Sequence, residues 1–155
     1  MKRILFLLIA ICMGILHTIA YDFRVDGVCY NITSKSTPTV EVTSGSYTQS
    51  DIVIPASVTY EGVTYAVTSI GQSAFRGNGA FASITLPNSI DSIGSQAFME
   101  CGNLSSVVIP KSVSKLDYSS FACCGKLISL SVEEGNPIYD SRNNCNAIIE
   151  TATNT

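Results

Sequence analysis

Tryptophan is absent from this chain, histidine occurs once, and only 14% of the residues are charged. The one histidine, His17, falls in the first twenty residues, a segment whose composition sets it apart. Without that segment the chain cannot assemble a Ser-His-Asp or Cys-His pair, or a histidine metal site. Cys123 and Cys124 are adjacent rather than in a C-x-x-C arrangement, and no neighbouring base is visible to activate them. No run of like charge exists, and phosphate recognition needs clustered Lys and Arg, so nucleic acid and anionic membranes are poor partners. The Gly77-x-Gly79 pair lacks the strand-before, helix-after context of a phosphate loop and reads as a turn. Glu133-Glu134, beside Gly135-Asn136-Pro137, reads as a solvated loop rather than as an acid and base pair. Catalytic, cofactor-binding and metal-binding residues are therefore expected to number none.

Long apolar runs are missing too, apart from Ile4 to Leu16. That run is shorter than the roughly 20 residues a spanning helix needs. With Lys2 and Arg3 before it and Thr18-Ile19-Ala20 after it, it has the order of a secretory signal peptide over 1–20. Ile11 argues against lipoprotein cleavage at Cys12. Removal of the leader leaves seven basic residues against twelve acidic ones, and a chain long enough for one modest domain with no membrane insertion of its own. It also leaves Cys29, Cys101, Cys123, Cys124 and Cys145, an odd number that cannot pair completely. Cys101 and Cys124 stand 23 apart and could be bridged across stacked turns, but small buried thiols are the simpler reading.

What the chain has is a repeat. Steps of 23 from Phe75 reach Phe98 and Phe121, and the apolar positions around them recur at the same step. A fixed period of this length predicts a solenoid, whose units bury their apolar faces only on one another. Phe81-x-x-Ile84-x-Leu86, Leu104-x-x-Val107-x-Ile109 and Leu127-x-x-Leu130-x-Val132 each fit L-x-x-L-x-L, the strand signature of leucine-rich repeats. Ile52 and Ile54 match Ile84 and Leu86 at a step of 32 instead, which implies a nine-residue insertion. VTYEGVTYAV supplies it, alternating about Glu61-Gly62, and predicts a projecting hairpin near 59–67 with Tyr60 and Tyr65 exposed.

The residues IGxxAFxxC at 93–101, I-G-x-x-A-F at 70–75 and S-x-x-I-P-x-S-V at 106–113 resemble the BspA-like leucine-rich repeats of bacterial surface and secreted proteins. The likeness covers about 52–145. It implies a short right-handed solenoid with a parallel sheet on one face, and a role in adhesion or partner binding. Ser57, Ser89 and Ser112 depart from the usual ladder asparagine, which leaves the turn geometry open.

The expected fold is thus an α/β-type repeat, with helical turns near Ala97-Phe98 and Ser120-Phe121 on the outer side. Residues 21–51 form a β-rich N-terminal cap, with a hairpin at Asp26-Gly27 and a strand at Thr39–Thr43. Repeats fill 52–132, and 133–155 is a terminal segment, either truncated or leaving the last edge thinly covered. Alternation turns Ser83, Thr85, Ser106, Val108, Ser129 and Ser131 outward from the core. With Tyr60 and Tyr65 they are the candidate partner-binding residues. The expected function is that of an exported, non-enzymatic protein, secreted or at the cell surface, that binds a protein or glycan. A structural or capping fragment of a longer solenoid, with no ligand of its own, is the alternative.

Overall fold

The computed structural model describes residues 21–142 and 147–153. The predicted leader and Cys145 lie outside the described residues. The N-terminal part is antiparallel: β1 (Phe23–Val25) pairs with β2 (Val28–Ser34), which pairs with β3 (Thr39–Val42). Asp26 and Gly27 join the first pair at φ 48° and 84°, the turn in which both central residues are left-handed. The chain then enters β4 (Asp51–Val53) and the hairpin of β5 (Ser57–Tyr60) and β6 (Val63–Ile70), turned at Glu61 and Gly62 with φ 49° and 79°.

From β4 onward the chain coils. The strands β7 (Ser83–Thr85), β9 (Ser106–Ile109) and β11 (Ser129–Val132) stack on β4 in one parallel sheet, in the order β11-β9-β7-β4. Asp51 pairs with Ser83, Ser83 with Ser106, and Ser106 with Ser129. The first step is longer than the other two by nine residues, and the β5–β6 hairpin takes up the difference, as the sequence pattern requires.

Each coil also contributes to a second parallel stack. In it β6, β8 (Ser92–Ile93) and β10 (Lys115–Leu116) pair in register Ser69, Ser92, Lys115, and β3 joins β6 on the other side. The parallel sheet expected on one face therefore has a counterpart on another. Backbone packing there is close. A Cβ on Gly94 would lie 2.8 Å from the amide nitrogen of Gln72 in the preceding coil, which accounts for the glycine after Ile93.

The helical turns are where the structure departs from expectation, since the described residues contain no α-helix. Around Ala97-Phe98 the chain makes short turns, with Ala97 N donating to Gly94 O and Met99 N to Gln96 O. Other amides there bond across coils: Phe75 N to Ala97 O and Phe98 N to Ser120 O, both at 2.8 Å. Left-handed residues recur at the 23-residue step, at Ser73 and Gln96, and at Gly77, Glu100 and Cys123. A residue at positive φ in every short turn stops a helix from propagating. The described repeat is therefore all-β rather than α/β.

The core runs along the inside of the coils. Phe75, Phe81, Ile90, Ile93, Phe98, Leu104, Val107 and Ile109 are all fully buried. Each such side chain contributes roughly 1.5–3 kcal/mol on full burial, available only because a coil on either side covers it. Tyr47, Phe75, Phe98 and Phe121 form a ladder of rings with centroids 4.7, 5.3 and 5.0 Å apart. Tyr47 stands 28 residues before Phe75, so its place in the ladder is outside the repeat step. Tyr139 (in β12, Tyr139–Asp140, paired with β13, Ile149–Glu150) accepts a bond from Leu116 N and closes part of the far end.

Candidate binding surface

The outward face of the four-stranded sheet carries two rows of side chains. Asp51, Ser83, Ser106 and Ser129 form one row by direct pairing. Val53, Thr85, Val108 and Ser131 form the other, with Val53 opposite Thr85 and Val108 opposite Ser131. Val53 and Val108 are 67% and 57% exposed. Thr85, Ser106 and Ser129 are exposed, while Ser83 and Ser131 are half-buried. All six sheet residues expected from alternation thus lie together on one side of the sheet.

Asp51 and Val53 complete the rows but were not among the expected residues. Carrying the alternation back by the 32-residue step, rather than by 23, finds both. The Ser83 hydroxyl donates to one Asp51 carboxylate oxygen and the Ser50 hydroxyl to the other. These bonds hold the Asp51 carboxyl below its usual range. Between the rows and the edge lies a shallow groove of about 300 Å³, lined by Thr85, Asn88, Ser106, Val108, Pro110 and Glu133.

Tyr60 and Tyr65 do not project. Val58, Tyr60, Val63 and Tyr65 share one face of the hairpin, and that face folds down on the first strand. The Tyr60 ring stacks on Phe23 at 4.3 Å and 3°, and Tyr65 meets the same ring at 5.9 Å. Tyr65 is buried and Tyr60 half-buried. Tyr30 stacks on one side of Phe23 at 5.4 Å, and the hairpin rings cover more of it, so the hairpin packs instead of presenting them. Among the described residues the most exposed large apolar side chain is Tyr118, at 99%. Its counterparts one and two coils earlier are Ser95 and Gln72, and an aromatic ring at an otherwise polar register was the signal for it.

Several other polar groups tie one coil to the next. Cys29, Cys101, Cys123 and Cys124 are free thiols, so no Cys101–Cys124 bridge forms. Instead Cys101 Sγ donates to Phe75 O at 3.1 Å and Cys124 Sγ to Phe98 O at 3.0 Å. Asn78 Nδ2 does the same to Tyr47 O one coil earlier. Burial pushes the Cys101 thiol up to about 12. Ser89 and Ser112 donate to Val67 O and Ile90 O in the preceding coil at 2.7 and 2.6 Å. Ser57 is displaced into the exposed hairpin and does not take this part. Among the described residues no three His, Cys, Asp or Glu side chains gather as metal donors, and no helix is long and apolar enough to cross a membrane.

Stacked coils with a parallel sheet at each L-x-x-L-x-L segment define a leucine-rich-repeat protein. Residues 45–152 match the BspA type leucine rich repeat region in six copies, and the chain belongs to that family. It is similar to a leucine-rich repeat protein from Bacteroides ovatus ATCC 8483, with 35% identity and a TM-score of 0.66 over 72% of this chain and 29% of that one. A leucine-rich repeat protein from Bacteroides capillosus ATCC 29799 is similar at 27% identity and a TM-score of 0.57, over 72% of this chain and 97% of that one. The chain thus spans under a third of the first relative's length and nearly all of the second's. No curated protein matches it.

Proposed function

We propose that the protein is an exported, non-enzymatic binding protein, secreted or held at the cell surface, that takes a protein partner on the outward face of its four-stranded sheet. The observation that carries this reading is the pair of rows on that face, where Val53 and Val108 stand exposed among small hydroxyl side chains. Exposed valines with no large neighbour leave the sheet open to close contact with an extended chain. A glycan is the weaker candidate, because the two rows hold no aromatic ring on which a sugar could stack. Residues 21–51 serve as the N-terminal cap, since they continue the second sheet through β3 and supply Tyr47 to the ring ladder.

A structural unit that stacks on further repeats, with no ligand of its own, is the second reading. It draws on the half-buried state of Leu116, Phe121, Leu127, Leu130 and Val132. Capture experiments with immobilised protein separate the two. Binding reading: a defined partner is retained and is lost when Thr85→Arg and Val108→Glu are combined. Structural reading: no partner is retained by either form.

A further inference from the structure

The outward face of the four-stranded sheet has a third row beyond the two of hydroxyl and valine side chains. Alternation carries it to Pro55, Pro87, Pro110 and Glu133, two positions on from Val53, Thr85, Val108 and Ser131. Val53 and Val108, with the prolines and the Thr85 methyl, make the middle of this face apolar. Its charges stand at two opposite corners. Asp51 opens the first row on β4 and Glu133 ends the third beyond β11, and the three rows contain no lysine or arginine.

Both carboxylates are held in place. Asp51 accepts from the Ser83 and Ser50 hydroxyls, which favour its ionised form. Glu133 Oε2 accepts from the Lys111 amide at 2.9 Å, on the wall of the groove beside Val108. Neither forms an ion pair within the described residues.

The strand ladder sets the distance between the corners. Ser129 stands in register with Asp51 three strand steps away, about 14 Å at ordinary strand spacing, and Glu133 lies four residues further along, about 13 Å. The diagonal is therefore about 19 Å, which an extended chain spans in about six residues. An even step matters, because residues i, i+2, i+4 and i+6 of an extended chain all point to one side. The line from Asp51 to Glu133 runs over Thr85 and Val108.

We infer that this face selects an extended partner segment with a lysine or arginine at each end, six residues apart, and apolar side chains at the alternate positions between them. The inference rests on the reading of this face as the protein-binding surface and adds the chemistry of the segment it takes. The end cations meet Asp51 and Glu133, and the apolar side chains lie on Thr85 and Val108. A second copy of this chain meeting face to face would bring no cation to either corner, so the face does not complement itself.

Fluorescence anisotropy on the full chain tests this with three labelled, end-blocked peptides. They are Lys-Ser-Val-Ser-Val-Ser-Lys, its glutamate-for-lysine counterpart, and Lys-Ser-Lys-Ser-Val-Ser-Val, which keeps the composition but brings the lysines together. The first should bind, the second should not, and the third, reaching one corner only, should bind about threefold more weakly than the first. Asp51→Asn and Glu133→Gln, which keep an acceptor oxygen and remove the charge, should each weaken the first peptide about threefold and together about tenfold. Glu61→Gln, at the hairpin turn away from this face, should leave it unchanged. Combining Thr85→Arg with Val108→Glu should abolish its binding. Equal binding of the first and third peptides, binding of the glutamate peptide, or indifference to the Asp51 and Glu133 changes would overturn the inference. If Thr85→Arg with Val108→Glu still abolished binding in those cases, the face would stand as the binding surface without this charge spacing. Binding that survives the Thr85 and Val108 changes would instead overturn the reading of the face itself. No binding of the first peptide would overturn the inference, with partner capture left to decide the reading of the face.

Discussion

The rings of Phe98 and Phe121 lie 5.0 Å apart and within 3° of parallel, yet one is fully buried and the other only partly. They are the same position in successive coils, so the difference measures what a covering coil adds. Phe98→Ala should cost about 3–5 kcal/mol, the range for a large buried aromatic, and Phe121→Ala distinctly less. Urea unfolding of the two variants checks the order. Equal losses would mean that the last coil is covered as fully as the one before it.

The thiol of Cys101, pushed up to about 12, gives the fold an alkaline weakness. An unfolded chain releases that proton near 9.0, the ordinary value for a thiol, while the folded one keeps it. The contribution is therefore fully present below about pH 9 and is lost as the pH rises from there through about 12. Cys29 and Cys124 are raised by burial as well and act in the same direction. Thermal midpoints should fall above pH 9, and Cys101→Ala should flatten that fall. A Cys101→Ala profile as steep as the parent's would remove this thiol as a cause.

Glu100 holds a φ of 62° at the position that Gly77 fills one coil earlier. A side chain in that region costs about 1 kcal/mol relative to glycine. Glu100→Gly should therefore stabilise the protein by a few tenths to about 1 kcal/mol, and Gly77→Ala should destabilise it by about as much. Chemical denaturation of both variants reads the sign. The Arg76–Glu100 contact, at 4.0 Å between exposed side chains, is too weak to reverse it.

The repeat, its nine-residue interruption and the outward row were legible because each rests on periodicity: Phe75, Phe98 and Phe121 keep one step, and Ser83, Ser106 and Ser129 another set of the same step. The Asp26-Gly27 and Glu61-Gly62 turns were legible because left-handed dipeptides announce themselves. What was not legible depends on neighbours distant in sequence. Tyr60 and Tyr65 pack because Phe23 lies under them, and nothing in VTYEGVTYAV reports on residue 23. The outer turns resemble helix by spacing, but Ser73, Gln96 and Glu100 take left-handed φ without being glycine, so composition hid the break. Asp51 and Val53 were missed because the alternation was followed forward from Ser83 and not back across the insertion.

Tyr60→Ser with Tyr65→Ser should lower the thermal midpoint by exposing Phe23, since Tyr60 stacks on that ring and Tyr65 packs tilted against it. Partner capture, measured at a temperature where the variant is folded, should be unaffected. A midpoint that stays in place would mean that the hairpin face is not packed in solution.

The proposed role of the four-stranded sheet is tested most directly by partner capture with Thr85→Arg and Val108→Glu combined, two exposed changes in one row. The account predicts an unfolding midpoint close to the parent's and capture of the defined partner reduced at least tenfold, as charges replace two of the small side chains of that row. Undiminished capture by a fully folded double variant would contradict it.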